Sequence, residues 1–163
     1  MNNKGFTTIE LLMYMGILTI LIVVMASIFG AIVDGKLESE ATSSVDQDAR
    51  YILAKMNYDM QSASSIASPA AGLQGSTLQI SVNSTSQSYT LSGNNDLQVT
   101  KGGQSDNLNS ADTFVSNLTF KRIGNGNSDD TIQMQFTLTS KINKRANTTE
   151  TKTFKTTFGR HTL

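Results

Sequence analysis

Twenty-three consecutive residues, Leu11 to Val33, carry no charge and are almost all apolar (LLMYMGILTILIVVMASIFGAIV). At about 1.5 Å per residue, a helix of this length covers roughly 35 Å, enough to cross a bilayer hydrocarbon core about 30 Å thick. A helix buried in a soluble core rarely stays apolar on every face for so long. Thr19, Ser27, Gly16 and Gly30 interrupt the run only mildly, and membrane helices tolerate all of them. The run predicts a membrane-spanning helix and divides the chain into what precedes it and what it carries.

The flanks set direction. Lys4 is the only base before the run, and the excess of positive charge stays on the cytoplasmic side, which puts Asp34 and all that follows outside. An ordinary secretory signal has an apolar stretch of roughly 7–15 residues and a small-residue cleavage site after it. This run is longer, and no clear A-x-A site follows it. The remaining acid of the region, Glu10, sits at the mouth of the run. A carboxylate near hydrocarbon costs about 2.5–3.5 kcal/mol on insertion scales and calls for a partner. Two readings of Glu10 follow: a solvated acid favouring the helix dipole in the first turn, or one half of a pair with an ammonium group.

The opening MNNKGFTTIELL resembles the prepilin-type leader of type IV pilins and type II secretion pseudopilins. The resemblance covers Lys4 to about Ala31 and implies several site residues. Gly5 stands at the position after which a membrane prepilin peptidase cuts, on the cytoplasmic side. Phe6 would become the N-methylated first residue of the mature chain. Glu10, five places into that chain, would pair with the freed N-terminus of Phe6 or of an adjacent subunit and help set subunit register in a helical filament. One departure stands out: many pilins carry a proline in the second half of this helix, whereas Met25-Ala26-Ser27-Ile28 has none. Gly16 and Gly30 are the only candidates for local softening, and glycine alone is a weak signal. A plain N-terminal anchor is the alternative.

Beyond Val33 the polarity changes while the helical period continues. Leu37, Ala41, Val45, Ala49, Ile52, Met56, Met60, Ala63 and Ala67 recur at spacings of three and four, one apolar stripe on a helix otherwise rich in charges and hydroxyls. The stripe predicts core packing, mainly from Val45 onward, with Pro69 ending the helix because the residue before a proline is disfavoured in the α region. The stretch DARYILAKMNYDMQSASSI resembles the second helical segment of J-type (W-type) minor pseudopilins and minor pilins, through Arg50, Leu53, Met56, Asp59, Ala63 and Ile66. Part of that likeness is amphipathicity, and Arg50 and Asp59 also suit a solvated helix face.

The rest alternates as strands do: Leu78, Ile80 and Val82; Tyr89 and Leu91; Leu97 and Val99; Phe114, Leu118 and Phe120; Ile132, Met134, Phe136 and Leu138; and Thr153 to Phe158. Gly93-Asn94-Asn95-Asp96 reads as a turn, Gly102 to Asn109 as a polar loop, and Gly124 to Asp130 as a sharp turn. Short connections favour antiparallel pairing. The expected fold class is α+β: a long N-terminal helix, membrane-spanning then amphipathic, packed on a C-terminal antiparallel sheet of roughly six strands. The expected division is leader 1–5, membrane or filament-core helix 6–33, amphipathic helix 34–69 and β domain 70–163.

Composition argues against catalysis. With no Cys there is no disulfide framework, thiolate metal site or Cys nucleophile. One His, at 161, makes a His-based triad or multi-His site improbable. Thirteen Lys+Arg balance thirteen Asp+Glu, so net charge points to no partner. No phosphate-binding loop or dinucleotide fingerprint appears. Asn125, Asn127, Asp129 and Asp130 offer oxygen ligands for calcium, but their spacing is not that of an EF-hand and these are ordinary turn residues. No cofactor or metal is therefore expected. Three N-x-[ST] sequons, at Asn83, Asn117 and Asn147, are about what chance gives in a chain with this much Asn, Ser and Thr. Six bases against Glu150 from Lys141 onward make a basic edge, yet without interleaved aromatics for base stacking. Nucleic acid is therefore an unlikely partner, and a solvated or subunit-facing edge fits better.

The reading is a minor pilin or pseudopilin rather than an enzyme. The resemblance implies as partners other pilin or pseudopilin subunits, prepilin peptidase, the inner-membrane assembly platform and membrane lipid. It places the chain in a bacterial cytoplasmic membrane, single-pass, then in an extracytoplasmic filament, with work near the tip if the subunit is J-type. Alternatives are a major shaft subunit and a single-pass protein whose β domain is a receptor or adhesin.

Overall fold

The computed structural model describes residues 7–124, 130–144 and 147–160. One helix, α1 (Thr8–Gln61), runs unbroken for 54 residues, about 80 Å at about 1.5 Å per residue. Neither Gly16 nor Gly30 interrupts it. Up to Val33 the helix exposes its side chains; Asp34 and Leu37 are half-buried, with Ala31, Asp34 and Glu38 beside Lys144 and Thr148, and from Ala41 the helix lies on the β structure.

The helix ends earlier than its stripe suggests. Ser62 caps it, donating its N–H to the Tyr58 carbonyl, and Ala63–Ser68 forms strand β1 instead of two further turns. This corrects the expected helix to Ala67 and removes Pro69 as its terminator. The reason is competition for the same apolar groups. Four serines between 62 and 68 weaken helix, since their hydroxyls bond backbone groups in other conformations. Pairing β1 with β3 (Leu78–Val82) buries Ala63 and Ile66 opposite Val82 and Ile80.

Among the described residues nine strands form two antiparallel sheets, not the single six-stranded sheet expected. The first has five strands in the order β1, β3, β4 (Thr85–Leu91), β5 (Leu97–Lys101) and β6 (Gln104–Asn107). The second has four, in the order β2 (Gln74–Gly75), β7 (Thr113–Ile123), β8 (Thr131–Asn143) and β9 (Thr149–Gly159). Strand β6 corrects the polar loop over 102–109: Gly102 and Gly103 both take positive φ (59° and 86°), the two-residue turn that matches strand twist and closes a hairpin on β5. Asn83 and Ser84 do the same between β3 and β4 (50° and 64°). Phe114 does not share a face with Leu118 and Phe120 as its spacing implied. A bulge between Ser116 and Thr119, with Asn117 at φ 52°, inverts the alternation, so Val115 points into the core and Phe114 lies half-buried on the other face.

One core joins all three layers. Val45, Ile52, Met56 and Met60 of α1 meet Ile80 and Tyr89 of the five-stranded sheet and Phe120, Met134 and Phe136 of the four-stranded one. Ile132, Met134, Phe136 and Leu138 are all fully buried, as the clearest alternation in the sequence predicts. Strand β9 runs along the helix: Lys152 Nζ pairs with Asp46 Oδ1 at 2.8 Å, and Arg160 Nη1 donates to the Ser64 carbonyl at 2.6 Å. Asp46 to the cap at Ser62 rises about 24 Å, and Lys152 to Arg160 extends about 26 Å, so helix axis and strand are nearly parallel.

Candidate functional site

The first turn of α1 is built by Thr7 and Glu10. Thr7 is the N-cap; its carbonyl and its hydroxyl accept from the Glu10 N–H, at 3.1 and 3.4 Å. The T-x-x-E spacing is that of a capping box. Only the Thr7 half of it forms: the Glu10 carboxylate is exposed and has no hydrogen-bond or ionic partner among the described residues. Glu10 is thus placed at the positive end of the helix with its acceptors unused. Gly5 and Phe6, the other two site residues read from the sequence, lie outside the described residues.

From Ile9 to Val33 the large apolar side chains are 41–71% exposed, around the full circumference of the helix. The polar groups within the run are satisfied locally. Thr19 donates its hydroxyl to the Met15 carbonyl at 2.7 Å and Ser27 to Val23 at 2.9 Å, the back-bonding that lets a hydroxyl residue sit in an apolar medium. A side chain built on Gly16 or Gly30 would meet nothing. By length and composition this helix can cross a membrane.

The second half of α1 has the opposite arrangement, with carboxylates wired into the fold. Asp48 accepts from the Ser110 N–H (2.9 Å), the Ser110 hydroxyl (2.8 Å) and the Thr113 hydroxyl (2.6 Å), holding the turn before β7 against the helix. Asp59 is buried, receives both bonds of the Lys55 ammonium (2.7 and 2.8 Å), and accepts the hydroxyl proton of fully buried Tyr89. Burial, then the bond to Asp59 and its charge, push the Tyr89 phenol well above its ordinary range, so it stays a donor. Of the residues in the minor-subunit likeness, Met56, Asp59, Ala63 and Ile66 are buried, Leu53 is half-buried and only Arg50 is exposed. The solvated-face reading therefore holds for Arg50 and fails for Asp59.

Asp130, considered as a calcium ligand, instead faces Arg122: Nε donates to Oδ2 at 2.8 Å, and Nη2 pairs with the same oxygen. Arg122 Nη1 reaches the Ile66 carbonyl at 2.9 Å, tying β7 to β1. A side chain at Gly124 would collide with the Asp130 carboxylate, and its φ of 141° suits only glycine. Asn125, Asn127, Asp129 and His161 lie outside the described residues. Among the described residues no three His, Asp or Glu side chains converge on one point.

Sequence reasoning passed over Asp48, Tyr89 and Arg122. A signal for the first existed: Asp48 and Asp59 fall inside the apolar stripe, beside Ala49 and Met60, where a carboxylate must find donors.

No family model, curated protein or solved structure matches this chain.

Proposed function

We propose that the chain is a prepilin, a subunit held in the cytoplasmic membrane by the first half of α1 and assembled through it into an extracytoplasmic filament. The observation that carries this reading is the Glu10 carboxylate, without a partner among the described residues, in the first turn of a helix whose next 23 residues expose apolar side chains on every side. Such a helix needs an apolar surround, and such a carboxylate needs a cation within it. Cleavage after Gly5 supplies one, since it frees the Phe6 amine, four residues before Glu10. In the membrane that amine meets the subunit's own Glu10 or water. In a filament, the amine of one subunit meets Glu10 of the next while lipid around the helix is exchanged for other helices.

The function is structural, and the β domain faces outward on its amphipathic stalk. The likeness running from Arg50 to Ile66 supports a minor, J-type subunit that works near the filament tip with other minor subunits. Prepilin peptidase and the inner-membrane assembly platform are the partners that this role requires.

Intact-mass analysis of the chain from its native membrane tests the reading. The mature form should begin at Phe6, and Gly5→Leu should accumulate uncut precursor. Glu10→Gln keeps the shape of the side chain and removes its charge. Leaving one half of a poorly solvated pair uncompensated costs about 3–5 kcal/mol. The variant should therefore be cut and inserted normally, yet enter filaments or minor-subunit complexes poorly. An untouched Met1, or wild-type incorporation of Glu10→Gln, would sink the processing and pairing roles respectively.

A further inference from the structure

The two sheets have four edges, and three are blunted. Strand β2 has two residues; β6 has four, all polar and exposed; β1 is kinked by two register shifts. Strand β9 differs. It has eleven residues, and from Thr151 to Gly159 it pairs with β8 without interruption. No hydrogen bond from the described residues reaches the outer edge of its backbone between Thr149 and Gly159. A long, regular, unpaired edge is a template for one more strand.

We propose that β9 receives an extended acidic segment of a partner protein, which adds as a fifth strand to the four-stranded sheet. Charge selects the occupant. On the sheet face turned away from α1, the paired rows of β7, β8 and β9 are mostly threonine, serine and glutamine, with Phe114, Ile123, Gly159, Lys121 and Lys155, and among the described residues that face bears no carboxylate. On the face toward α1, Glu150 is already matched by Lys144. An incoming strand with carboxylates beside Lys155 is attracted, and a basic one is repelled. A second copy of the chain does not fit as the occupant. Because β9 lies along α1, antiparallel pairing of two β9 edges reverses one helix relative to the other, and both cannot then enter one membrane in the same sense. That exclusion rests on the single-pass anchoring proposed above; the edge and its charge do not.

The test uses the full chain in detergent micelles and two blocked nonapeptides, alternating valine with glutamate or valine with lysine. Hydrogen exchange is read residue by residue. The glutamate peptide should slow exchange at alternate amides of 149–159, leaving β1 and β6 unchanged, and the lysine peptide should not. Lys155→Glu, an exposed position that leaves the core intact, should weaken glutamate-peptide binding about fivefold, the scale of one exposed charge contact reversed, and improve the lysine peptide. Equal binding of both peptides, protection confined to another edge, or no protection at all would overturn the proposal. Concentration-dependent protection of β9 without peptide would overturn the choice of occupant in favour of a second copy. Failure here leaves processing at Gly5 untouched, and failure of processing leaves strand addition standing.

Discussion

The two halves of α1 share one backbone and one helical period but are solvated in opposite ways. From Ile9 to Val33 the apolar side chains face outward, and Thr19 and Ser27 bond back to the helix itself. From Ala41 to Gln61 the apolar stripe of Ala41, Val45, Ala49, Ile52, Met56 and Met60 faces the sheets, and Asp48 and Asp59 reach across to Ser110, Thr113 and Tyr89. Helical propensity therefore says little about what a helix does. Where its apolar and polar side chains find partners decides whether it belongs to a bilayer, a filament interior or a folded domain.

The largest effect that can separate the halves is a cut between them. A chain starting at Asp34 keeps every core residue, since the core cluster begins at Val45. It should be soluble without detergent and give a mixed helix and strand circular dichroism spectrum, whereas the full chain should need micelles. Disorder in the shortened chain would mean that the exposed half supports the fold after all.

Within the intact chain, paired truncations sharpen the contrast. Met56→Ala empties a fully buried site and should lower unfolding free energy by about 2–5 kcal/mol. Ile22→Ala, exposed on the first half, should change it by no more than about 0.5 kcal/mol. Denaturant unfolding in micelles, followed by the near-ultraviolet tyrosine signal, reads both.

A smaller effect comes from the buried polar link. Asp59→Ala leaves the Tyr89 hydroxyl without its acceptor and should cost about 1–3 kcal/mol by the same assay. The link also has a pH signature. The folded Tyr89 titrates above its ordinary value of about 10. The fold therefore favours the protonated phenol, so this contribution is complete below about pH 10 and declines as pH rises beyond it. Tyr89→Phe should flatten stability above pH 10 relative to the parent. An unchanged slope would remove Tyr89 from the account.

The smallest effect tests the exposed half alone. Gly16→Ala and Gly30→Ala meet open space and gain helix propensity of about 1 kcal/mol or less. Neither should alter the unfolding of the β domain.

Much of this fold was legible in the sequence, and the failures are instructive. The membrane-length run follows from its unbroken apolar length, and the buried stripe and strands β3 and β8 follow from periodicity, because each of these buries a whole face. Residues 62–68 misled because a spacing of three and four also lets Ala63 and Ile66 sit on a bulged strand. Strand β6 is polar throughout and buries nothing, so hydropathy cannot find it; only Gly102-Gly103 marked the hairpin. The division into two sheets depends on which strands pair at long range, which local pattern does not encode. The asparagines of the three sequons gain an explanation that composition alone did not supply. Asn83, Asn117 and Asn147 all take positive φ (50°, 52° and 57°), at turns and a bulge where asparagine is the least strained residue after glycine. At the site itself, Glu10 was legible as an acid out of place. What surrounds it was not, since no described residue bonds its carboxylate.

The alignment of β9 with α1 has a mechanical consequence. A chain held by the first half of α1 and pulled through its β domain carries tension along the helix axis. That axis is also the direction of β9, and the hydrogen bonds joining β9 to β8 lie across it. Tension then loads the whole row together, in shear, instead of opening it one bond at a time from an end. In the filament proposed above, load would separate subunits from one another before it unfolded their outer domains.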